Sequence, residues 1–288
     1  MQAIQITADS TCDLSVEDIQ KHQIIIQPLY INLGDKSFQD RVNIHPEDIF
    51  AYFDKEGKIP KTSAVTIQDY LDLFSPFVKE GRSVIHCAFS SALSSSFQNA
   101  CTAAAMLEEE GHPGEIHIVD TKSLSNGSGM VVLEACEMAE NGIPAAKIAQ
   151  VLREEVVPKV EGSFIINTLV YLHKGGRCSS VAALGANLLK LKPCIELENG
   201  KMHVGKKYRS SFDKCIPQYL RDHLEGRSDV CFKRIFLTNA ACDPAIVKQA
   251  REIVTQLCSF EEIKEAVAGS TISSHCGPGT FGIFFMKK

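Results

Sequence analysis

Three clusters of hydroxyl side chains sit where a small anion would need them. Asp9-Ser10-Thr11, Lys61-Thr62-Ser63 and Ser90-Ser91-Ala92-Leu93-Ser94-Ser95-Ser96 each stand between a short apolar run and a helical pattern. In an α/β sheet such junctions gather at the carboxyl edge of the strands, where ligands bind. Free N–H groups at a helix start, with Ser or Thr donors beside them, suit a carboxylate or a phosphate. The competing reading is that each hydroxyl is an N-cap, because Ser and Thr are preferred there. One junction is explained by a cap; three in one sheet shift the balance towards an anion without saying which.

His275 is the histidine that belongs with them. It closes a hydroxyl-rich stretch (Ser270, Thr271, Ser273, Ser274) and abuts Gly277-Pro278-Gly279. An imidazole there can hydrogen-bond a carboxylate or phosphate, or serve only as a turn residue. Ser94 with His275 could also make a nucleophile–base pair, as in a serine-type acyl hydrolase or acyltransferase. No acidic orienter is legible, however, and Gly127-Ser128-Gly129 falls short of a G-x-S-x-G elbow. Gly277-Pro278-Gly279-Thr280-Phe281-Gly282 has the spacing G-x-G-x-x-G, but no helix can follow it before the chain ends at Lys288. Dinucleotide binding needs that helix, so the run reads as a bent, glycine-permitted backbone beside a site. His86 lies in an apolar strand-like run and reads as a core histidine.

The elements that must position these groups follow from periodicity. Ala3–Thr7, Ile24–Leu29, Val84–Ala88 and Ile116–Val119 are strand candidates. Helices are expected at Ser15–His22, from near Thr66, from Leu93 to Leu107 with Gly111 as its stop, at Met130–Met138 after a Gly127–Gly129 turn, and from Pro144. Strands alternating with helices imply a parallel sheet with covering helices. Around Val157–Gly162 the pattern changes: Phe164–Val170 is strand-like, Lys174-Gly175-Gly176-Arg177 breaks it, and Leu184–Leu189 is apolar. Cys194–Leu197 and Met202–Lys206 flank Asn199-Gly200, a favoured hairpin turn. Helices near Asp213–Leu224 and Pro244–Leu257 separate strands near Ile235–Thr238 and Ile263–Val267, and Phe281–Met286 closes the chain. The expectation is an α/β chain of two domains. Residues 1–158 form a parallel α/β sheet, and residues 159–288 an α+β domain with a mixed or antiparallel sheet.

Composition narrows the function. The 288 residues are 44% apolar and carry 30 basic against 35 acidic side chains, net −5, which excludes a globally basic nucleic-acid binder. No apolar run approaches the roughly 20 residues of a membrane helix, and the first residues lack a signal-peptide pattern, so stable membrane insertion is not expected and a cytoplasmic location is. The 11 cysteines include no C-x-x-C pair and read as small core residues, with no metal site expected from their spacing.

Taken together, the chain resembles the DegV family of bacterial fatty-acid-binding proteins. The motifs run in family order: Asp9-Ser10-Thr11; Thr62-Ser63; Ser90-Ser91-x-Leu93-Ser94; Val119-Asp120 with the glycines at 127–129; Lys174-Gly175-Gly176-Arg177; Leu191-Lys192-Pro193 and the Arg209 segment; and His275-x-Gly277-Pro278-Gly279. The resemblance implies two domains with one long-chain fatty acid, about C16–C18, in a tunnel between them and no cofactor. It implies a carboxylate bound by Thr62, Ser94 and His275, with Ser63 and Ser91 in support. Asp40, Arg177 and Arg209 fall where the family has its domain interface and partner contact. The partner so implied is the catalytic subunit of a fatty acid kinase, to which this non-catalytic chain would present the carboxylate for conversion to acyl phosphate, feeding phospholipid synthesis. A lipid sensor without a kinase would need the same pocket. Two departures stand out: Ala64-Val65-Thr66 follow Ser63 where the family often reads x-P-S, and Ser95-Ser96 replace a Gly-Thr pair beside the proposed head-group site. Cys276, next to His275, is the one cysteine whose reactivity merits a test.

Overall fold

A computed structural model describes residues 3–182 and 191–288; the apolar run Leu184–Leu189 lies outside the described residues. Among the described residues the strands are, in chain order, β1 (Ile4–Asp9), β2 (Ile25–Gln27), β3 (Tyr30–Leu33), β4 (Lys36–Gln39), β5 (Lys61–Ser63), β6 (Ser83–Ala88), β7 (Ile116–Asp120), β8 (Val160–Ile166), β9 (Lys192–Glu198), β10 (Lys201–Tyr208), β11 (Val230–Ala240), β12 (Glu262–Val267) and β13 (Thr280–Lys287). They form a parallel four-stranded sheet, β2-β1-β6-β7, and a six-stranded sheet, β10-β9-β8-β13-β11-β12. The second is mixed: every pairing is antiparallel except β11 with β12. The α/β class and the parallel-then-mixed arrangement agree with the sequence reading.

A third sheet did not announce itself in the sequence. Ile24–Leu29 is not one strand: β2 stops at Gln27, and the chain restarts as β3 in a small antiparallel sheet, β4-β3-β5, that carries Thr62 and Ser63. Apolar residues run through the break, because Leu29 and Ile31 are both buried, in different core clusters. Periodicity marks burial and not which sheet receives it.

The glycines at 127–129 also behave differently from the expectation. They lie inside a helix, Ser125–Glu140, and not in a turn before it. A side-chain carbon at Gly127 would come within 2.1 Å of Ser123 Oγ, and one at Gly129 within 2.7 Å of the Cys12 carbonyl. Gly129 lets the helix press against the turn after β1, and Gly127 lets it pass Ser123 and Phe284. This helix is buried on all sides from Ser125 to Leu133, because it packs against both larger sheets.

Two boundaries shift for local reasons. The strand expected over Phe164–Val170 ends at Ile166, and Val170–Gly175 is a helix whose Tyr171 and Leu172 are buried while Val170 is exposed. The helix expected from Leu93 begins at Ser96, because Leu93 and Ser94 turn back to bond the Ser90 carbonyl. Elsewhere the agreement is close. Pro244–Leu257 is a helix, Thr66 caps Ile67–Lys79 in a reciprocal box with Asp69, and Asn199-Gly200 turns β9 into β10 with φ of 50° and 80°.

Candidate functional site

Between the parallel and mixed sheets lies a cavity of about 1010 Å³, counting its open mouth. Its apolar wall comes from Phe89, Leu93 and Leu124 on one side and from Phe164, Met202 and Phe284 on the other. The polar wall gathers Thr62, Ser63, Ser94, Ser95, Arg177, Thr271 and His275. A pocket lined mainly by apolar side chains with a smaller set of polar groups suits an amphiphile.

The polar end is built from three elements. Thr62 and Ser63 end β5. His275 sits in the last turn of the short helix Ser270–Cys276, and its Nε2 lies 2.8 Å from Thr62 Oγ1, a hydrogen bond across 213 residues of chain. Ser94 Oγ accepts from the Ser96 N–H, the first of the following helix, at 3.1 Å and bonds Ser96 Oγ at 2.9 Å while lining the cavity.

The helix bearing His275 is held at both ends. At its start, Asp40 Oδ1 accepts from the Ser270 N–H at 3.0 Å and Asp13 Oδ1 accepts from the Gly269 N–H at 2.9 Å. Asp40 Oδ2 in turn accepts from Ser10 Oγ, and Asp13 Oδ2 from Ser125 Oγ. At its end, Gly277 adopts φ of 74°, and a side-chain carbon there would strike the Tyr171 ring at 2.5 Å. Gly175 serves the imidazole itself, since a carbon on it would lie 2.5 Å from His275 Nδ1. The two glycine motifs of the sequence therefore meet, and their common purpose is to seat His275.

Burial holds the His275 imidazole down to about 4, and the nearby Arg177 charge pushes the same way. The ring is neutral at pH 7. Its Nδ1 has no hydrogen-bond partner among the described residues, nor has Thr271 Oγ1, which also lines the cavity. Folding takes protonation of His275 out of reach between pH 4 and 6.5, where an unfolded chain would accept the proton. Stability from this group is therefore full above about 6.5 and falls as pH drops towards 4. Arg177→Gln is expected to raise the midpoint at which the His275 ring titrates, read from its imidazole proton shifts by NMR. An unchanged midpoint would remove Arg177 from the site's electrostatics.

The other residues singled out in the sequence divide clearly. Ser91 does not line the cavity: it is exposed and donates to Asp120 Oδ2 at 2.6 Å, which turns it outwards. Arg177 lines the cavity and donates to the Gly175 carbonyl at 2.7 Å. Asp40 is buried at the foot of the His275 helix, and Arg209 is exposed just beyond β10. Of the first junction, Asp9 binds Tyr70 and the Phe89 N–H, Ser10 binds Asp40, and neither lines the cavity. His86 is a core residue bonded to Thr7. Thr271 carries no signal of its own in the sequence beyond its place in the hydroxyl-rich stretch, although it stands one helical turn before His275 and so shares its face.

Cys276 lines the cavity, but burial pushes its thiol up to about 12. Little thiolate exists at pH 8, so alkylation by iodoacetamide in the native state should be far slower than in denaturant. Equal rates would contradict the burial. Among the described residues, the His, Cys, Asp or Glu groups close enough together to hold a metal lie away from this cavity, at Cys194, Glu196 and His223.

The fold and site define an α/β protein with a largely apolar cavity between two sheets. A family model described as uncharacterised protein, DegV family, matches residues 3–288, and the chain belongs to that family. It is 32% identical to a DegV domain-containing protein of Clostridium acetobutylicum over the whole of both chains. Its structure is similar to that of a DegV family protein from Thermus thermophilus described by its fatty acid binding, with 28% identity, a TM-score of 0.88 and full coverage of both chains. It is also similar to a Thermotoga maritima protein described as revealing a fatty acid binding function, with 25% identity, a TM-score of 0.84 and full coverage of both.

Proposed function

We propose that this chain binds one long-chain fatty acid, about C16–C18, with the acyl tail in the cavity and the carboxylate at Thr62, Ser63, Ser94 and His275. The observation that carries this is the cavity itself: a largely apolar lining that includes the Thr62–His275 pair, whose neighbours include unpartnered donors. Burying such a tail yields about 12–14 kcal/mol gross at ~0.8 kcal/mol per methylene, before the cost of association. A carboxylate cannot enter an apolar site unpaired. Hydroxyls, a neutral imidazole N–H and the charge of Arg177 can pair it here. The relatives described as binding fatty acids support the same reading.

The lipid lies, in this proposal, between lobes 1–158 and 159–288, and the chain offers its carboxylate to a separate ATP-dependent fatty acid kinase in the cytoplasm. The product would be an acyl phosphate for phospholipid synthesis. Among the described residues no helix is long and apolar enough to cross a membrane. Arg209, exposed beyond β10, is the proposed contact with the kinase, and Asp40 the tie between the lobes through Ser270. Purified protein loaded with oleate should yield acyl phosphate when the kinase catalytic subunit and ATP are added. Arg209→Ala should lower that yield with lipid content unchanged. No acyl phosphate from an active kinase would point instead to a lipid sensor.

The hydrolase alternative finds less support. His275 Nε2 is engaged by Thr62 and Ser94 Oγ by Ser96, and no carboxylate orients Nδ1 among the described residues. An imidazole held near 4 is also a weak base at pH 7.

A further inference from the structure

The six-stranded sheet borders the cavity with one face only. Its other face is covered by the helices Phe212–Leu224 and Pro244–Leu257, around a separate apolar core. On this far face, Cys194 and Glu196 stand two residues apart on β9 and so project to the same side. His223 reaches them from the last turn of Phe212–Leu224. One ligand atom from each, the Cys194 sulfur, a Glu196 carboxylate oxygen and a His223 ring nitrogen, all lie within 4.8 Å of one another.

Cys194 Sγ is 3.5 Å from His223 Nε2. A tetrahedral zinc ion with bonds of ~2.3 Å to sulfur and ~2.0–2.1 Å to nitrogen holds those two atoms about 3.5 Å apart. Glu196 is placed by its surroundings. His203, directly opposite on β10, sets its Nε2 3.2 Å from Glu196 Oε2. Gly205 leaves the room the carboxylate occupies, since a side-chain carbon there would lie 2.1 Å from Oε1. Cys194 is fully buried, and Glu196 and His223 are half-buried. Thiolate and carboxylate together carry two negative charges, the imidazole none, so a divalent cation makes the group neutral in a setting where a net charge is costly. The sulfur, nitrogen and oxygen donor set suits zinc, and three protein ligands leave one position for water.

We propose that Cys194, Glu196 and His223 bind a zinc-class divalent cation, which ties β9 to the helix Phe212–Leu224 on the side of the sheet away from the lipid cavity. On binding, the Cys194 thiol gives its proton to solvent and the sulfur coordinates as thiolate, while His203 positions Glu196. The spacing is invisible to cysteine motifs, because the ligands come from a strand and from a helix 27 residues later in the sequence.

Cobalt(II) titrated into full-length, chelator-stripped protein tests this. The expected result is a thiolate-to-cobalt charge-transfer band that saturates at one equivalent and is displaced by zinc. Cys194→Ser and His223→Gln should each abolish the band with fatty acid content retained, and His203→Gln should weaken affinity about 10- to 100-fold. If Cys194→Ser does not fold, His223→Gln and Glu196→Gln decide, as both are only half-buried. A folded wild type without the band, or a band unchanged in His223→Gln and Glu196→Gln, overturns the proposal.

Discussion

His275→Ala is expected to weaken long-chain fatty acid binding by about 10- to 100-fold. A hydrogen bond to a charged group is worth about 1.5–3 kcal/mol, and the carboxylate in this site would lose one donor directly. It would lose a second through Thr62, whose hydroxyl is oriented by His275 Nε2. Thr62→Val should cost less, because it removes a hydroxyl but leaves the imidazole free to turn to the lipid. The measurement is displacement of a fluorescent fatty acid by oleate, with circular dichroism to confirm the fold. Equal affinity in wild type and His275→Ala would move the head group elsewhere in the cavity.

Asp13→Asn is the second large effect, and it is read in stability. Burial pushes the Asp13 carboxyl up to about 7 from an ordinary 3.8, against the opposing hydrogen bonds from Ser125 and Gly269 and the Arg41 charge. Between those two values the folded protein holds a proton that the unfolded chain has released. Stability from Asp13 is therefore fully present below about pH 4 and is lost as pH rises through about 7. At 1.36 kcal/mol per unit, the swing is about 4 kcal/mol. Asparagine does not titrate and tolerates the left-handed backbone at this position, where φ is 50°. Asn should therefore gain on Asp by about 4 kcal/mol in denaturant unfolding between pH 4 and pH 8. His275 titrates in both proteins alike and cancels in the difference. A difference independent of pH would mean Asp13 is ionised throughout. Because Asp13 and Asp40 jointly hold the start of the His275 helix, the same titration bears on the geometry of the site.

Much of this molecule was legible in the residues. Pro244–Leu257, with Asp243 as its cap and Pro at its first position, is fixed by local signals, as is the Asn199-Gly200 hairpin. The pairing of Thr62 with His275 is not local. It depends on β5 and the Ser270–Cys276 helix being brought together across 213 residues, and only the order of motifs hinted at it. Local propensity reads the glycines at 127–129 as a turn; the close approach of Gly129 to the Cys12 carbonyl and of Gly127 to Phe284, tertiary facts, accounts for them mid-helix. Ser91 shows the same limit in reverse. It has the right residue type in the right cluster, and Asp120, its neighbour on the adjoining strand end, draws it to the surface. Arg177, expected at the domain interface or partner contact, lines the cavity, where its charge meets the site.

One fatty acid held in this cavity by its carboxylate means one acyl chain per protein. Denaturing extraction of the purified protein followed by lipid mass spectrometry measures that ratio. The expected result is close to one fatty acid of about C16–C18 per chain, or stoichiometric uptake of added oleate or palmitate by delipidated protein, with the bound amount falling in His275→Ala. A wild-type protein that carries no acyl chain and takes up neither lipid would contradict it.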